Sequence, residues 1–130
     1  MPVKLSELKP KALLIDPKFE NQWVQVIQVN INDGNSGRVS EWDGGYAYDV
    51  DLRTLNPIQL TPDIVDKLLP LNGEFPDNDD FYIEQSGHNV KYFDLCYGKT
   101  YTGVSIQWLH QLQGLYFYIT LSELETKNKI

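Results

Sequence analysis

The sequence has few of the side chains that carry catalysis or hold metals. It contains one cysteine, Cys96, and two histidines, His88 and His110. A single cysteine excludes a disulfide framework and a cysteine-based zinc site, and two histidines cannot form a three-histidine metal site. Cys96 lies in the alternating segment YFDLCYG beside positions expected to be buried, where thiols are usually unreactive. We therefore expect no cofactor, no metal and no enzymatic activity.

Basic residues are also scarce. Eleven Lys and Arg stand against 18 Asp and Glu, and the formal charge is −7 with no basic run. Binding to nucleic acid or to an anionic membrane needs clustered cations, so neither is expected as a direct partner. No apolar run approaches the ~18 residues of a membrane span, and no signal peptide is visible. The expected location is the cytoplasm of a bacterial cell, and the acidic balance favours a basic protein partner.

The first half of the chain shows the period-two alternation of strands. The segment WVQVIQVNI alternates β-branched and polar residues, and clusters of Asp, Asn, Ser and Gly on either side of a further short segment predict tight turns. The predicted strands are a short one near 12–15, then 23–31, 38–42 and 46–52, with turns at 33–37 and 43–45.

The second half begins with a helix and returns to strands. Thr61 is a candidate N-cap, Pro62 suits the first helical position, and the apolar residues that follow form one stripe. The polar segment GEFPDNDD at 73–80 predicts a loop. Strands are predicted at 81–84, 90–97 and 101–106, followed by a second helix at 108–119.

This order predicts an α+β fold with two short antiparallel β-meanders, each followed by a helix. The first half is expected to form a small SH3-like barrel or a bent sheet. At 130 residues the chain is of single-domain size. We expect one compact domain over residues 1–130, or two small lobes comprising residues 1–54 and 55–130.

The second helix carries polar groups whose role is open. On a helical wheel, Trp108, Leu112 and Tyr116 belong to a core-facing stripe, while His110, Gly114 and Phe117 fall near the opposite side. A glycine in a helix interior costs roughly 1 kcal/mol relative to alanine, which indicates close approach of another group. That group could be another element, a second copy of the chain in a homo-oligomer, or a ligand or partner.

Two segments resemble a known family. LNPIQLTPDIVDKLL, followed about 35 residues later by VSIQWLHQLQGLYFYITLSELE, is similar to small proteins of Bacteroidetes genomes and their phages that carry a PIPLT helix start and a HQLQNLYF-LTGEEL pattern. The resemblance covers residues 55–69 and 104–125. Gly114 replaces an asparagine, and Leu121-Ser122 replaces a glycine-containing turn. The family has no assigned activity, so the resemblance implies a phage or mobile-element accessory protein and no functional residues.

The acidic segment DNDD at 77–80 resembles the start of a calcium loop but fails as one. An EF-hand requires glycine at its sixth position and a bidentate glutamate at its twelfth, and Tyr82 and His88 stand there. These carboxylates are therefore candidates for protein recognition rather than for metal binding.

The leading hypothesis is a non-enzymatic protein that binds and inhibits a host defence protein by occupying a basic, nucleic-acid-binding surface. Its candidate binding residues are aromatic or acidic, or lie on the far side of the second helix: Trp42, Asp43, Tyr46, Tyr48, Asp77, Asp79, Asp80, His110 and Phe117. One alternative is a small-molecule or nucleotide-sequestering protein. Its candidate lining residues are Tyr92, Tyr97, Tyr101 and His110, with Arg38, Lys91 and Lys99 available for an anion. The other alternative is a structural oligomeric subunit that packs through the face of His110, Gly114 and Phe117.

Overall fold

A computed structural model describes residues 7–30, 35–42 and 45–126. It contains two antiparallel four-stranded sheets, each followed along the chain by a helix, which confirms the predicted α+β class. By internal contacts the chain divides into two compact units, Met1–Ile58 and Gln59–Ile130. The elements are β1 (Leu13–Asp16), β2 (Gln22–Val29), β3 (Ser36–Glu41), β4 (Ala47–Asp51), α1 (Pro62–Leu68), β5 (Glu74–Phe75), β6 (Asn78–Gln85), β7 (Phe93–Tyr97), β8 (Thr100–Ile106) and α2 (Leu109–Thr120).

The first unit is a bent, open sheet in the order β1-β2-β3-β4. In a flat sheet three strand spacings would separate β1 from β4 by about 14 Å. The Tyr48 hydroxyl on β4 nevertheless donates a 2.6 Å hydrogen bond to the buried Asp16 carboxylate on β1. The sheet must therefore curve. Its two outer strands do not pair, so the bent-sheet alternative is confirmed and the closed barrel is wrong.

The core of the first unit lies on one side of this sheet. Valines that are directly opposite each other on β2 and β3 are fully buried together with leucines from β1 and from the segment after β4. The members of this cluster are Ala12, Leu14, Val24, Val26, Val39, Leu52 and Leu55. The predicted turn residues Asp33, Gly34, Asp43 and Gly44 lie outside the described residues.

The second unit opens with α1, whose start is set by local capping. The Thr61 hydroxyl accepts a hydrogen bond from the Ile64 amide at 3.2 Å, and Pro62 occupies the first turn. A meander in the order β5-β6-β7-β8 follows. The predicted loop at 73–80 is wrong in part, because β5 and the start of β6 form a hairpin there.

Helix α2 closes the described part of the second unit. At its start, the Gln111 side-chain oxygen accepts hydrogen bonds from the backbone amides of Gln107 and Trp108, at 2.9 and 3.1 Å. Tyr116, near its end, packs its ring against the buried Phe75 of β5 at 5.0 Å. The helix ends at Thr120, and the next residue, Leu121, adopts a left-handed conformation with φ of 60°. Among the described residues, no helix is long and apolar enough to cross a membrane.

Candidate functional site

The second sheet has one apolar face and one acidic face. Side chains alternate along its strands, so Phe75, Ile83 and Leu95 are buried while the residues between them point the other way. The opposite positions, matched across the four strands by their register, are Glu74, Asp80, Tyr82, Glu84, Asp94, Cys96, Tyr101 and Ser105. We call this set the acidic face, because four of its eight side chains are carboxylates.

Two carboxylates of the acidic face stand directly opposite each other. Glu84 on β6 is the register partner of Asp94 on β7, which brings their Cβ atoms to about 4.5–5.5 Å. Like charges in this position destabilise a sheet. No basic residue of the described chain forms an ion pair with either of them, or with Glu74 and Asp80. No ion pair with a basic residue of the described chain therefore offsets the repulsion.

Hydroxyl groups fix the position of one of these carboxylates. The Ser105 hydroxyl donates to Asp94 Oδ1 at 2.7 Å, and the Tyr101 hydroxyl lies 2.8 Å from Ser105 Oγ. Since the single hydroxyl proton of Ser105 is used on Asp94, Tyr101 is the donor in the second bond. This chain of hydrogen bonds holds Asp94 in place and leaves Glu84 beside it with most of its acceptor capacity free.

The thiol of Cys96 lies between the two tyrosines of the face and is buried. Cys96 is the register partner of Tyr82 on one side and of Tyr101 on the other, and it is only 2% exposed. Burial raises the pKa of the thiol, and the nearby Glu84 carboxylate raises it further. The neutral thiol donates weakly to Glu84 Oε1 at 3.7 Å. A group so protonated and so covered is unsuited to covalent chemistry.

The predicted acidic residues at 77–80 separate into different environments. Asp77 lies in the β5–β6 turn and accepts a 2.7 Å hydrogen bond from the Tyr116 hydroxyl of α2. Burial and this hydrogen bond raise the pKa of Tyr116 to about 12. Asp79 and Asp80 follow Asn78, the first residue of β6; they are exposed and point to opposite sides of the sheet. Only Asp80 therefore belongs to the acidic face.

The predicted aromatic residues of the first unit do not form one surface. Tyr46 is 75% exposed and stacks on Tyr48 with ring centroids 6.3 Å apart. Tyr48 lies on the face of Val39, whereas Trp42 packs against Trp23 on the other face, at 5.7 Å. Burial and the hydrogen bond to Asp16 raise the pKa of Tyr48 far above its ordinary value. Asp43 lies outside the described residues.

The structure separates His110 from Phe117, which the helical wheel placed on the same side of α2. His110 is 2% exposed, although the wheel placed it on the far side from the core; Phe117 is 40% exposed. The first turns of α2 are buried on more than one side, with Leu109, His110 and Gln113 all inside. A Cβ added at Gly114 would meet no atom within 4 Å, so within the described structure nothing approaches the backbone there.

The residues suggested for a small-molecule pocket are not brought together. Tyr101 lies on the acidic face, where its register partner on β7 is Cys96. Tyr97 points to the opposite side of the sheet and packs against Phe81. His110 is buried in α2. A shallow cavity of about 310 Å³ does occur in the first unit. It is lined by Gln28, Asn30, Ser36, Gly37, Arg38 and Asp49, of which only Arg38 was singled out from the sequence.

Within the described ranges, no group of three or more His, Cys, Asp or Glu side chains is placed to hold a metal ion. The carboxylates of the acidic face are spread across three strands, β5, β6 and β7, rather than converging on a point. Such a spread arrangement suits an extended cationic surface better than a single ion. In the comparisons with known proteins, no family model, no curated protein and no solved structure matches the chain.

Proposed function

We propose that this is a non-enzymatic protein that binds a basic surface of a partner protein, and that the acidic face is its recognition surface. The observation that carries the proposal is the opposed pair Glu84 and Asp94, with no described basic residue paired to either. Such a pair costs folding stability and is relieved when Lys or Arg side chains of a partner are placed between the carboxylates.

The charge distribution supports this choice of surface. Residues 59–130 contain ten acidic and five basic side chains, so most of the net negative charge belongs to the second unit. None of its described basic residues lies on a strand of the acidic face: Lys67 pairs with Asp63 on α1 at 3.3 Å, and Lys91 and Lys99 are in loops. The field near the acidic face therefore attracts cationic partners and accelerates their association.

The tyrosines of the face support a protein partner rather than a simple counter-ion. Tyr82 is partly exposed and lies between Asp80 and Glu84 on β6, and Tyr101 is 51% exposed and is joined to Asp94 through the Ser105 hydroxyl. Tyrosine supplies apolar contact area and a polar group together, and its ring can stack on a guanidinium. A surface of tyrosines and carboxylates is thus suited to arginine-rich segments.

The resemblance to phage and mobile-element proteins suggests which basic surface is bound. On that proposal the partner is a host protein, and a nucleic-acid-binding surface of a defence protein is the target. Occupation of such a surface by carboxylates inhibits it by competing with phosphates for the same Lys and Arg side chains. Phosphate contacts and carboxylate contacts are both lost as salt rises.

The test compares two double variants of equal charge. Glu84→Gln with Asp94→Asn removes the opposed pair, and Glu20→Gln with Glu125→Gln removes two exposed carboxylates elsewhere. Each variant is used to capture proteins from nuclease-treated bacterial lysate, and the captured proteins are purified and titrated individually at low and high salt. We expect the first variant to lose about tenfold or more in affinity for a basic partner, and the second to keep it.

Equal losses in the two variants would show that only net charge matters and would contradict the assignment of the surface. A purified partner that binds both variants and the parent chain with one affinity would contradict the proposal itself.

A further inference from the structure

Strand β8 is an open edge of the second sheet. It is last in the order β5-β6-β7-β8, and no other strand of the described chain pairs with its outer side. Its first six residues, 100–105, are all exposed, including the large side chains of Tyr101 and Val104. The edge is therefore accessible to another polypeptide along nearly its full length.

The sequence of this edge does little to prevent pairing with another strand. Proteins usually protect edge strands with charged residues, proline or very short length. The segment TYTGVSI has seven residues, no charge and no proline, and its β-branched and aromatic side chains favour extended backbone. One protective device is present: Gly103, with φ of 91°, forms a bulge between the pairs Asp94–Ser105 and Cys96–Tyr101.

The bulge leaves the first three residues of the edge regular. Tyr97 and Thr100 flank the two-residue turn of the β7–β8 hairpin and are register partners. Since hydrogen-bonded and non-hydrogen-bonded pairs alternate along an antiparallel ladder, the N–H and C=O of Tyr101 are directed away from β7. Beyond the bulge, the Val104 amide is bonded to the Thr102 hydroxyl at 3.3 Å. Tyr101 is thus the centre of the accessible edge.

Charge favours a cationic strand of a partner over a second copy of the chain as the occupant of the edge. Two copies joined edge to edge through β8 would place two acidic faces side by side, and like charges would oppose the pairing. A strand with Lys or Arg at alternate positions would instead present all its cationic side chains on one face of the sheet. That face lies next to Tyr101, Ser105 and Asp94.

We propose that the β8 edge, centred on Tyr101, takes up an extended Lys- or Arg-containing segment of the partner as a fifth strand beside the acidic face. This inference rests on the proposed function and adds the mode of recognition. Backbone hydrogen bonds along the edge supply affinity, and the carboxylates select the cationic side chains. On the other side of the added strand, apolar residues contact Val104, which is 42% exposed.

The probe is a ten-residue capped peptide that alternates lysine and valine, titrated into the full chain and followed by amide NMR and by calorimetry. Two further peptides serve as controls: one is N-methylated at alternate residues on the pairing edge, and the other has glutamate in place of lysine. We expect shifts concentrated in residues 100–105, a loss of about tenfold or more on N-methylation, and no binding of the glutamate peptide.

A pair of variants tests the edge from the side of the protein. Tyr101→Pro removes the outward N–H without removing a bond to β7, whereas Tyr101→Thr removes the ring and keeps the N–H. We expect the first variant to lose binding of the lysine–valine peptide. The second should still bind it, at most about fivefold more weakly than the parent chain, because it loses only the contact of the ring with the cationic side chains.

The outcomes separate this inference from the proposed function. If N-methylation leaves peptide affinity unchanged while the Glu84→Gln and Asp94→Asn variant loses it, strand addition is wrong and the acidic face stands. If N-methylation abolishes binding and the acidic variant binds normally, the proposed function fails. No binding of the lysine–valine peptide at about 1 mM, or self-association of the chain that Tyr101→Pro removes, overturns the inference.

Discussion

Two tyrosine hydroxyls connect distant parts of the chain, one in each unit. Tyr48 donates to Asp16 across the bent first sheet, and Tyr116 donates to Asp77 from α2 to the β5–β6 turn. Each hydroxyl must keep its proton to donate it, and burial also disfavours the phenolate. Both tyrosines therefore have a raised pKa, that of Tyr116 reaching about 12. Deprotonation of either tyrosine at alkaline pH breaks its hydrogen bond and therefore lowers the stability of the fold.

The change Tyr116→Phe tests this link. The folded-state pKa of Tyr116 exceeds the unfolded value of about 10, so its contribution is complete below pH 10 and is lost as pH rises to about 12. At pH 7 we expect the variant to lose about 1 kcal/mol of unfolding free energy, measured by urea denaturation. Between pH 10 and 12 its stability should fall less steeply than that of the parent chain.

Tyr118→Phe is the matched control, because Tyr118 is 83% exposed. It should follow the parent chain at every pH, and parallel curves for Tyr116→Phe and the parent would contradict the assigned role of the Asp77 contact.

The reactivity of Cys96 gives a second test at the residue scale. Because the thiol is buried and its pKa is raised, we expect negligible labelling by a disulfide reagent such as DTNB at pH 8, and complete labelling in denaturing urea. Fast labelling of the folded chain would show that the thiol is reactive and would contradict the expectation that Cys96 has no catalytic role.

At the scale of elements, the features that depend only on residues close in the sequence could be predicted from it. The cap of α1 by Thr61 and the alternation in β2 are local, and both are confirmed. The burial of His110 depends on which residues pack around the first turns of α2, and a helical wheel gives no information about them. The opposition of Glu84 and Asp94 depends on the register of β6 and β7, and the long connection between those strands does not fix it.

The C-terminus of α2 offers a test of local strain. Leu121 adopts φ of 60°, a conformation that costs a non-glycine residue roughly 1–2 kcal/mol, and its side chain is 79% exposed. We expect Leu121→Gly to raise the free energy of unfolding by about 1 kcal/mol, measured by urea denaturation. Leu121→Ala keeps the strain and serves as the control; it should give no such gain. A destabilised Leu121→Gly variant would show that the Leu121 side chain makes a contact that outweighs the strain.

For the whole molecule, the proposed function sets stability against recognition at the acidic face. The carboxylates of the second sheet, which pair with no described basic residue, repel one another, and the formal charge of −7 adds to that repulsion. On the proposed function, a partner that brings cations relieves the repulsion, so the features that weaken the free protein strengthen its complex. Improvements in stability at this face should therefore reduce binding.

Glu84→Gln separates the two effects with the smallest change in shape. Removing one charge of the opposed pair should raise the free energy of unfolding by about 0.5 kcal/mol, because glutamine can face Asp94 without repulsion and still accept a hydrogen bond. The same variant should bind a basic partner several-fold more weakly at low salt. Both differences should shrink at about 1 M salt, where the screening length is roughly 3 Å. Glu125→Gln removes an equal charge from an exposed position outside the face and should change neither quantity appreciably. A Glu84→Gln variant that is less stable than the parent chain, or equally tight in binding, would show that the opposed pair neither strains the sheet nor recognises the partner.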